Sequence, residues 1–98
     1  MNIVKTQNGG ARTIALEGRL DTVTAPELES AINGSLENIN ELIFDLAKLD
    51  YVSSAGLRVL LSAQKTMNKR GSMTVTNVKP EIMDIFEITG FVDILDIQ

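Results

Sequence analysis

The spacing of apolar and polar positions changes period several times along the chain, and those changes divide it into elements. Ile3 to Thr6 and Arg12 to Leu16 read as strands, with Asn8-Gly9-Gly10 as a turn between them. They predict an N-terminal hairpin with Ile14 and Leu16 on one face and Thr13 and Ala15 on the other. Leu28, Ile32, Leu36 and Ile39 then recur at helical spacing, with Asn33-Gly34 weakening the middle of that helix. Its start, Thr24-Ala25-Pro26-Glu27, has the form of a capping box. Thr24 would accept from the Glu27 N–H, Glu27 would reach back to the Thr24 N–H, and Pro26 sits where a missing N–H costs little.

Leu42-Ile43-Phe44-Asp45-Leu46 is a nearly continuous apolar run, which suits a central strand covered on both faces. A second helix follows, with Leu57, Leu60, Leu61 and Met67 inward and Arg58, Ser62, Lys65 and Lys69 outward. Lys69 and Arg70 suit the negative end of its dipole, and Gly71 suits the residue just past its end. Met73 to Thr76 reads as a strand. Lys79-Pro80 opens a short third helix through Phe86, stopped by Gly90, and Ile94 to Ile97 offers a last strand. The order ββαβαβα, with an optional final β, predicts an α/β fold. It is a mixed sheet of four to five strands with an N-terminal hairpin, right-handed crossovers and helices packed on it.

Composition narrows the chemistry. Ninety-eight residues, 44% of them apolar, suit one domain with one core and no linker. No cysteine is present, so neither a disulfide framework nor a thiol nucleophile is available, which fits the cytoplasm. No apolar run is long enough to insert in a membrane, and the start Met1-Asn2-Ile3-Val4-Lys5 lacks the pattern of a signal peptide. A net charge of −4 with scattered Lys and Arg argues against nucleic-acid binding. Four aromatic residues are too few for a base-stacking platform.

Catalysis is hard to build. With no histidine or cysteine, a serine nucleophile would need a lysine base, and no spacing supports that pair. The glycines form no phosphate cradle. Asp21, Asp45 and Asp50 fall near predicted strand ends, where α/β sites often lie, but each also fits a turn or cap. No catalytic residue, metal ligand or cofactor is therefore expected.

Ser53 and Ser54 are the most informative pair. They stand where the apolar strand ends and the second helix begins. Free N–H groups and the helix dipole at such a point favour negative charge. Serine there is a strong N-cap; the same position would also stabilise an added phosphate. One serine can cap while the other stays exposed.

Two stretches carry a family resemblance: Gly18-Arg19-Leu20-Asp21-Thr22-Val23-Thr24-Ala25, and Leu46 through Leu57 with its Ser53-Ser54-Ala55-Gly56-Leu57 end. The chain resembles the STAS domain family, and within it the bacterial anti-sigma factor antagonists, over nearly its whole length. Pro80 to Phe91 is similar to the family's late helix. The resemblance implies one STAS domain over residues 1–98. It implies a cytoplasmic, non-enzymatic regulator of transcription that binds an anti-sigma factor and so frees a sigma factor. In that family the anti-sigma factor is also a serine kinase, and a phosphoserine phosphatase reverses its action. The family's phosphorylated serine corresponds to Ser54, with Ser53 as the alternative acceptor, and its partner surface implies Asp21, Ser53, Ser54, Gly56, Leu57 and Arg58. Two positions depart from the pattern: Ser53 replaces the family's aspartate, and Ala55 replaces its Ser or Thr. A phosphate on Ser54 beside Asp21 and Asp50 would repel a partner fitted to a neutral hydroxyl. STAS-like domains also serve as docking subunits of transport complexes without phosphorylation, which is the alternative reading.

Overall fold

A computed structural model describes residues 1–34 and 36–98. Strands β1 (Asn2–Asn8) and β2 (Ala11–Leu20) form the hairpin, antiparallel and in register from Asn2↔Glu17 to Asn8↔Ala11. Gly9 takes φ +62 in its turn, a conformation that glycine enters without steric cost. Helix α1 (Ala25–Asn33), strand β3 (Glu41–Val52), helix α2 (Ser54–Asn68), strand β4 (Ser72–Thr76) and helix α3 (Pro80–Thr89) follow, then a 3₁₀ turn at Phe91–Asp93. The sheet order is β1-β2-β3-β4, with β2, β3 and β4 parallel.

That order explains where the core sits. Both crossovers step in the same direction across the sheet, and right-handed connections then carry their helices to the same face. Ile14 and Leu16 of β2, Leu42, Phe44 and Leu46 of β3, and Met73 and Val75 of β4 are all buried on that face. There they join Leu28 and Ile32 of α1, Val59, Leu60, Ala63 and Met67 of α2, and Ile82 and Phe86 of α3. Each of these Val, Leu, Ile, Met and Phe side chains stabilises the fold by about 1.5–3 kcal/mol relative to exposure. The opposite face, with Thr13, Ala15, Ile43, Asp45 and Thr74, is only half-buried. The expectation of a central strand covered on both faces is therefore corrected: β3 is covered on one.

Several local expectations also change. Helix α1 stops at Asn33, and Gly34 is its C-cap, so Asn33-Gly34 ends the helix rather than weakening its middle. Leu36 and Ile39 are buried from the connection that follows, where Arg70 donates to the Leu36 carbonyl (2.7 Å). Leu61 is half-buried, whereas Val59 and Ala63 are buried, because the inward stripe of α2 is rotated from the one predicted. Gly71 is not in a left-handed conformation. Its lack of a side chain serves a close backbone approach, since a Cβ there would lie 1.9 Å from the Asn40 carbonyl oxygen. The last strand reduces to one parallel bridge, Val75↔Ile97, after the 3₁₀ turn. Gly90 ends α3 as expected, with φ +81. No helix among the described residues is long and apolar enough to cross a membrane.

Candidate partner-binding and modification site

The C-terminal ends of parallel strands are the usual place for a site in such a sheet. Leu20 of β2 pairs with Val52 of β3, so Asp21 and Ser53 each stand one residue past the last pair. The Ser53 N–H donates to the Leu20 carbonyl (2.8 Å), which ties the two exits together.

The β2 exit is a closed turn. Asp21 Oδ1 accepts from the N–H groups of Val23 (3.0 Å) and Thr24 (3.1 Å). The Thr24 hydroxyl accepts from the Asp21 N–H (2.8 Å) and donates to the Arg19 carbonyl (2.7 Å). The predicted capping box is thus not formed: the Thr24 side chain faces back into the turn and makes no cap bond to α1. Competition decides this, because a short polar side chain bonds whichever local backbone group is nearest. The Thr24 N–H bond chiefly holds the Asp21 carboxyl below its ordinary value of 3.8. The Val23 N–H, the Thr24 hydroxyl and the Arg19 guanidinium act the same way, against partial desolvation. The turn leaves Val23 at the tip, 79% exposed.

Arg19 and Tyr51, paired across β2 and β3, were not singled out from sequence. The Arg19 guanidinium lies 4.3 Å from the Tyr51 ring centroid, and its Nε is 3.7 Å from Asp21 Oδ2. Their pairing depends on two register shifts, one beside Gly18 at φ +101. Without the bulges, alternation alone gives the wrong neighbours.

The β3 exit is more open. Ser53 is the N-cap of α2, with extended backbone, and its Oγ accepts from the Gly56 N–H at 3.4 Å. Ser54 is the first helical residue and is exposed. Gly56 is buried, and a Cβ there would come within 2.6 Å of Leu20 Cγ and 3.0 Å of Val52 Cγ2. A glycine therefore lets the first turn of α2 sit against the ends of β2 and β3. Leu57 is buried beneath it, so it anchors the helix rather than offering a surface. Arg58 is exposed on the next turn and lines a cleft of about 410 Å³ with Thr22, Pro26, Glu29 and Ser62.

The structure brings Asp21, Ser53, Ser54, Gly56 and Arg58 to one rim, whereas two other aspartates are otherwise engaged. Asp45 lies within β3, where it accepts from the Ala47 N–H (3.0 Å) and the Asn77 amide (3.1 Å). Asp50 pairs with Lys79 (2.7 Å), so its charge is already met. No cluster of potential metal ligands occurs among the described residues. Of the three α-helices among the described residues, α1 and α3 carry an acid in the first turn, Glu27 and Glu81, while α2 carries none. Its dipole faces an uncharged hydroxyl at Ser54.

Residues 2–98 match the STAS domain family. The chain belongs to that family. The STAS domain is 30% identical to the anti-sigma-B factor antagonist of Bacillus subtilis, over all of this chain and 91% of that protein. Such antagonists are regulators rather than enzymes. Its fold matches the crystal structure of an anti-sigma factor antagonist from Mycobacterium paratuberculosis. The TM-score is 0.89 at 24% identity, over 98% of this chain and 83% of that one. It also matches the Bacillus cell fate determinant SpoIIAA in its phosphorylated form, with TM-score 0.77 at 16% identity over 99% and 91%.

Proposed function

We propose that this STAS domain, spanning residues 1–98, is a cytoplasmic anti-sigma factor antagonist switched by phosphorylation of Ser54. Unmodified, it binds an anti-sigma factor that is also a serine kinase, and a sigma factor is released. Phosphorylated, it lets that partner go, and a phosphoserine phosphatase restores it.

One observation carries this reading: Ser54 is an exposed hydroxyl at the first position of α2, the one α-helix among the described residues without an acid in its first turn. A phosphate there brings about −1.5 to −2 charge to the positive end of the dipole, so the fold accommodates it. The same charge would meet a partner surface fitted to a neutral hydroxyl, beside the ionised Asp21. Ser53 is the weaker candidate because its Oγ already serves the Gly56 N–H and capping holds it closer to the backbone. The full-length likeness to an anti-sigma-B factor antagonist supports the partner class, and the shared fold with a protein solved in phosphorylated form supports the modification.

The test is affinity for the anti-sigma factor, measured by calorimetry for wild type, Ser54→Ala, Ser54→Asp and the phosphorylated protein. Ser54→Ala should bind as wild type and resist phosphorylation. Phosphorylation should weaken binding about a hundredfold, near 2.7 kcal/mol, and Ser54→Asp should weaken it in the same direction. Equal affinity of all four forms would sink the switch and favour an unswitched docking subunit. Phosphate mapped by mass spectrometry only to Ser53 would overturn the site.

A further inference from the structure

The charge of the chain is segregated. Residues 1–78 hold eight basic and eight acidic side chains, whereas residues 79–98 hold Lys79 against Glu81, Asp84, Glu87, Asp93 and Asp96. The whole net charge of −4 therefore resides on α3 and the tail. Lys79 is committed to Asp50 at the other end of the helix. All five acids are exposed, and none forms an ion pair among the described residues.

The same segment holds three of the six large hydrophobic side chains that are exposed among the described residues: Ile88 (85%), Val92 (37%) and Ile94 (45%). Packing does not require them. Ile82 and Phe86 fasten α3 to the core. Leu95 and the bonds between Val75 and the backbone of Asp96 and Gln98 fasten the tail. Between these anchors Phe91 packs against the core, while Ile88, Val92 and Ile94 on either side of it stay exposed.

Topology fixes its position. The tail runs parallel to β4 at Val75↔Ile97, so α3 must carry the chain back from the C-terminal to the N-terminal end of β4. Ile88 to Ile94 thus lies toward the rim opposite Ser54, and a partner there leaves the Ser54 rim free.

We propose that the end of α3 and the turn after it form a second docking surface, whose occupant is a cationic amphipathic segment of a partner protein. The complementarity is one of chemistry. Apolar side chains flanked by carboxylates without an ion-pair partner among the described residues match a face of Leu or Ile flanked by Lys or Arg. A second copy of this chain would set five carboxylates against five. An anionic membrane surface would repel them. The inference does not rest on Ser54.

The experiment uses the ¹⁵N-labelled full chain and two synthetic helical peptides, one of Leu and Lys and one of Leu and Glu with the same apolar face. The Leu/Lys peptide should shift amide resonances of residues 84–97, more weakly as salt rises, and the Leu/Glu peptide should shift none. Ile88→Ser, at an exposed site, should keep the native spectrum and lower affinity at least about tenfold. The pair Asp84→Lys with Glu87→Lys should lower it similarly, while Ser54→Ala should leave it unchanged. Shifts centred elsewhere, or affinity unaffected by Ile88→Ser, would overturn the proposal. So would a wild-type dimer in sedimentation that Ile88→Ser dissolves, which assigns the face to a second copy. Ile88-dependent binding to vesicles containing anionic lipid would overturn it in favour of a membrane.

Discussion

Two neighbouring turns lead from a parallel strand into a helix, yet they are built in opposite ways. At the β2–α1 turn, one carboxylate and one hydroxyl satisfy three backbone N–H groups, and Glu27 supplies negative charge to the helix. At the β3–α2 turn, a single long cap bond from Ser53 serves the helix, and no acid stands in its first turn. The first is locally complete and presents Val23 as a fixed tip. The second leaves an open position for negative charge, at a residue whose side chain is free. The proposed switch uses this contrast: a phosphate on Ser54 would change the charge at the rim without undoing the hydrogen-bonded turn beside it.

Substitutions that break this contrast should do so in a definite order. The largest effect belongs to Gly56→Ala, which drives a Cβ into Leu20 and Val52. Overpacking of about 1–3 kcal/mol outweighs the gain of roughly 1 kcal/mol in helix propensity, so the midpoint of urea unfolding should fall. Ser53→Ala removes the only side-chain cap of α2. With a bond as long as 3.4 Å, the loss should lie near the low end of the usual range, about 0.5–1 kcal/mol by the same measurement. Ser54→Asp should act in the opposite direction, raising stability by about 0.3–1 kcal/mol at low salt through the unneutralised dipole, while weakening partner binding. A loss of both stability and binding would instead mark Ser54 as a structural residue.

The smallest effect concerns acid. The Asp21 carboxyl titrates below its ordinary 3.8 in the folded protein. Its contribution is therefore fully present above that value and is lost as pH falls through the lower folded value. Asp21→Asn cannot titrate. The difference in stability between wild type and this variant should shrink as pH drops below 3.8, and a difference constant from pH 6 to pH 2 would show that the carboxylate charge does nothing for the turn.

How much was legible in advance varies with the range of the interaction. The hairpin at Gly9, the stop at Gly90 and the burial of Ile14 and Leu16 follow from local conformation and alternation, and they appear as expected. The serine pair at the start of α2 was equally legible, because capping is a matter of a few neighbouring residues. The Thr24 box failed because Asp21, three residues earlier, competes for the same groups. Arg19 over Tyr51 was invisible because two register shifts separate the real pairing from simple alternation. Gly71 is required by a close approach of Asn40, thirty-one residues earlier, and not by the helix end that its local sequence predicts.

By itself, the sequence determined the element order, the α/β class, the apolar side of most elements and the serines at the head of α2. These rest on periodicity and on bonds spanning three or four residues. Tertiary structure decided which serine caps and which stays exposed, that Asp50 pairs with Lys79, and that one face of the sheet stays only half-buried. Those outcomes depend on strand order, crossover direction and contacts between residues far apart in the chain, which no local pattern encodes.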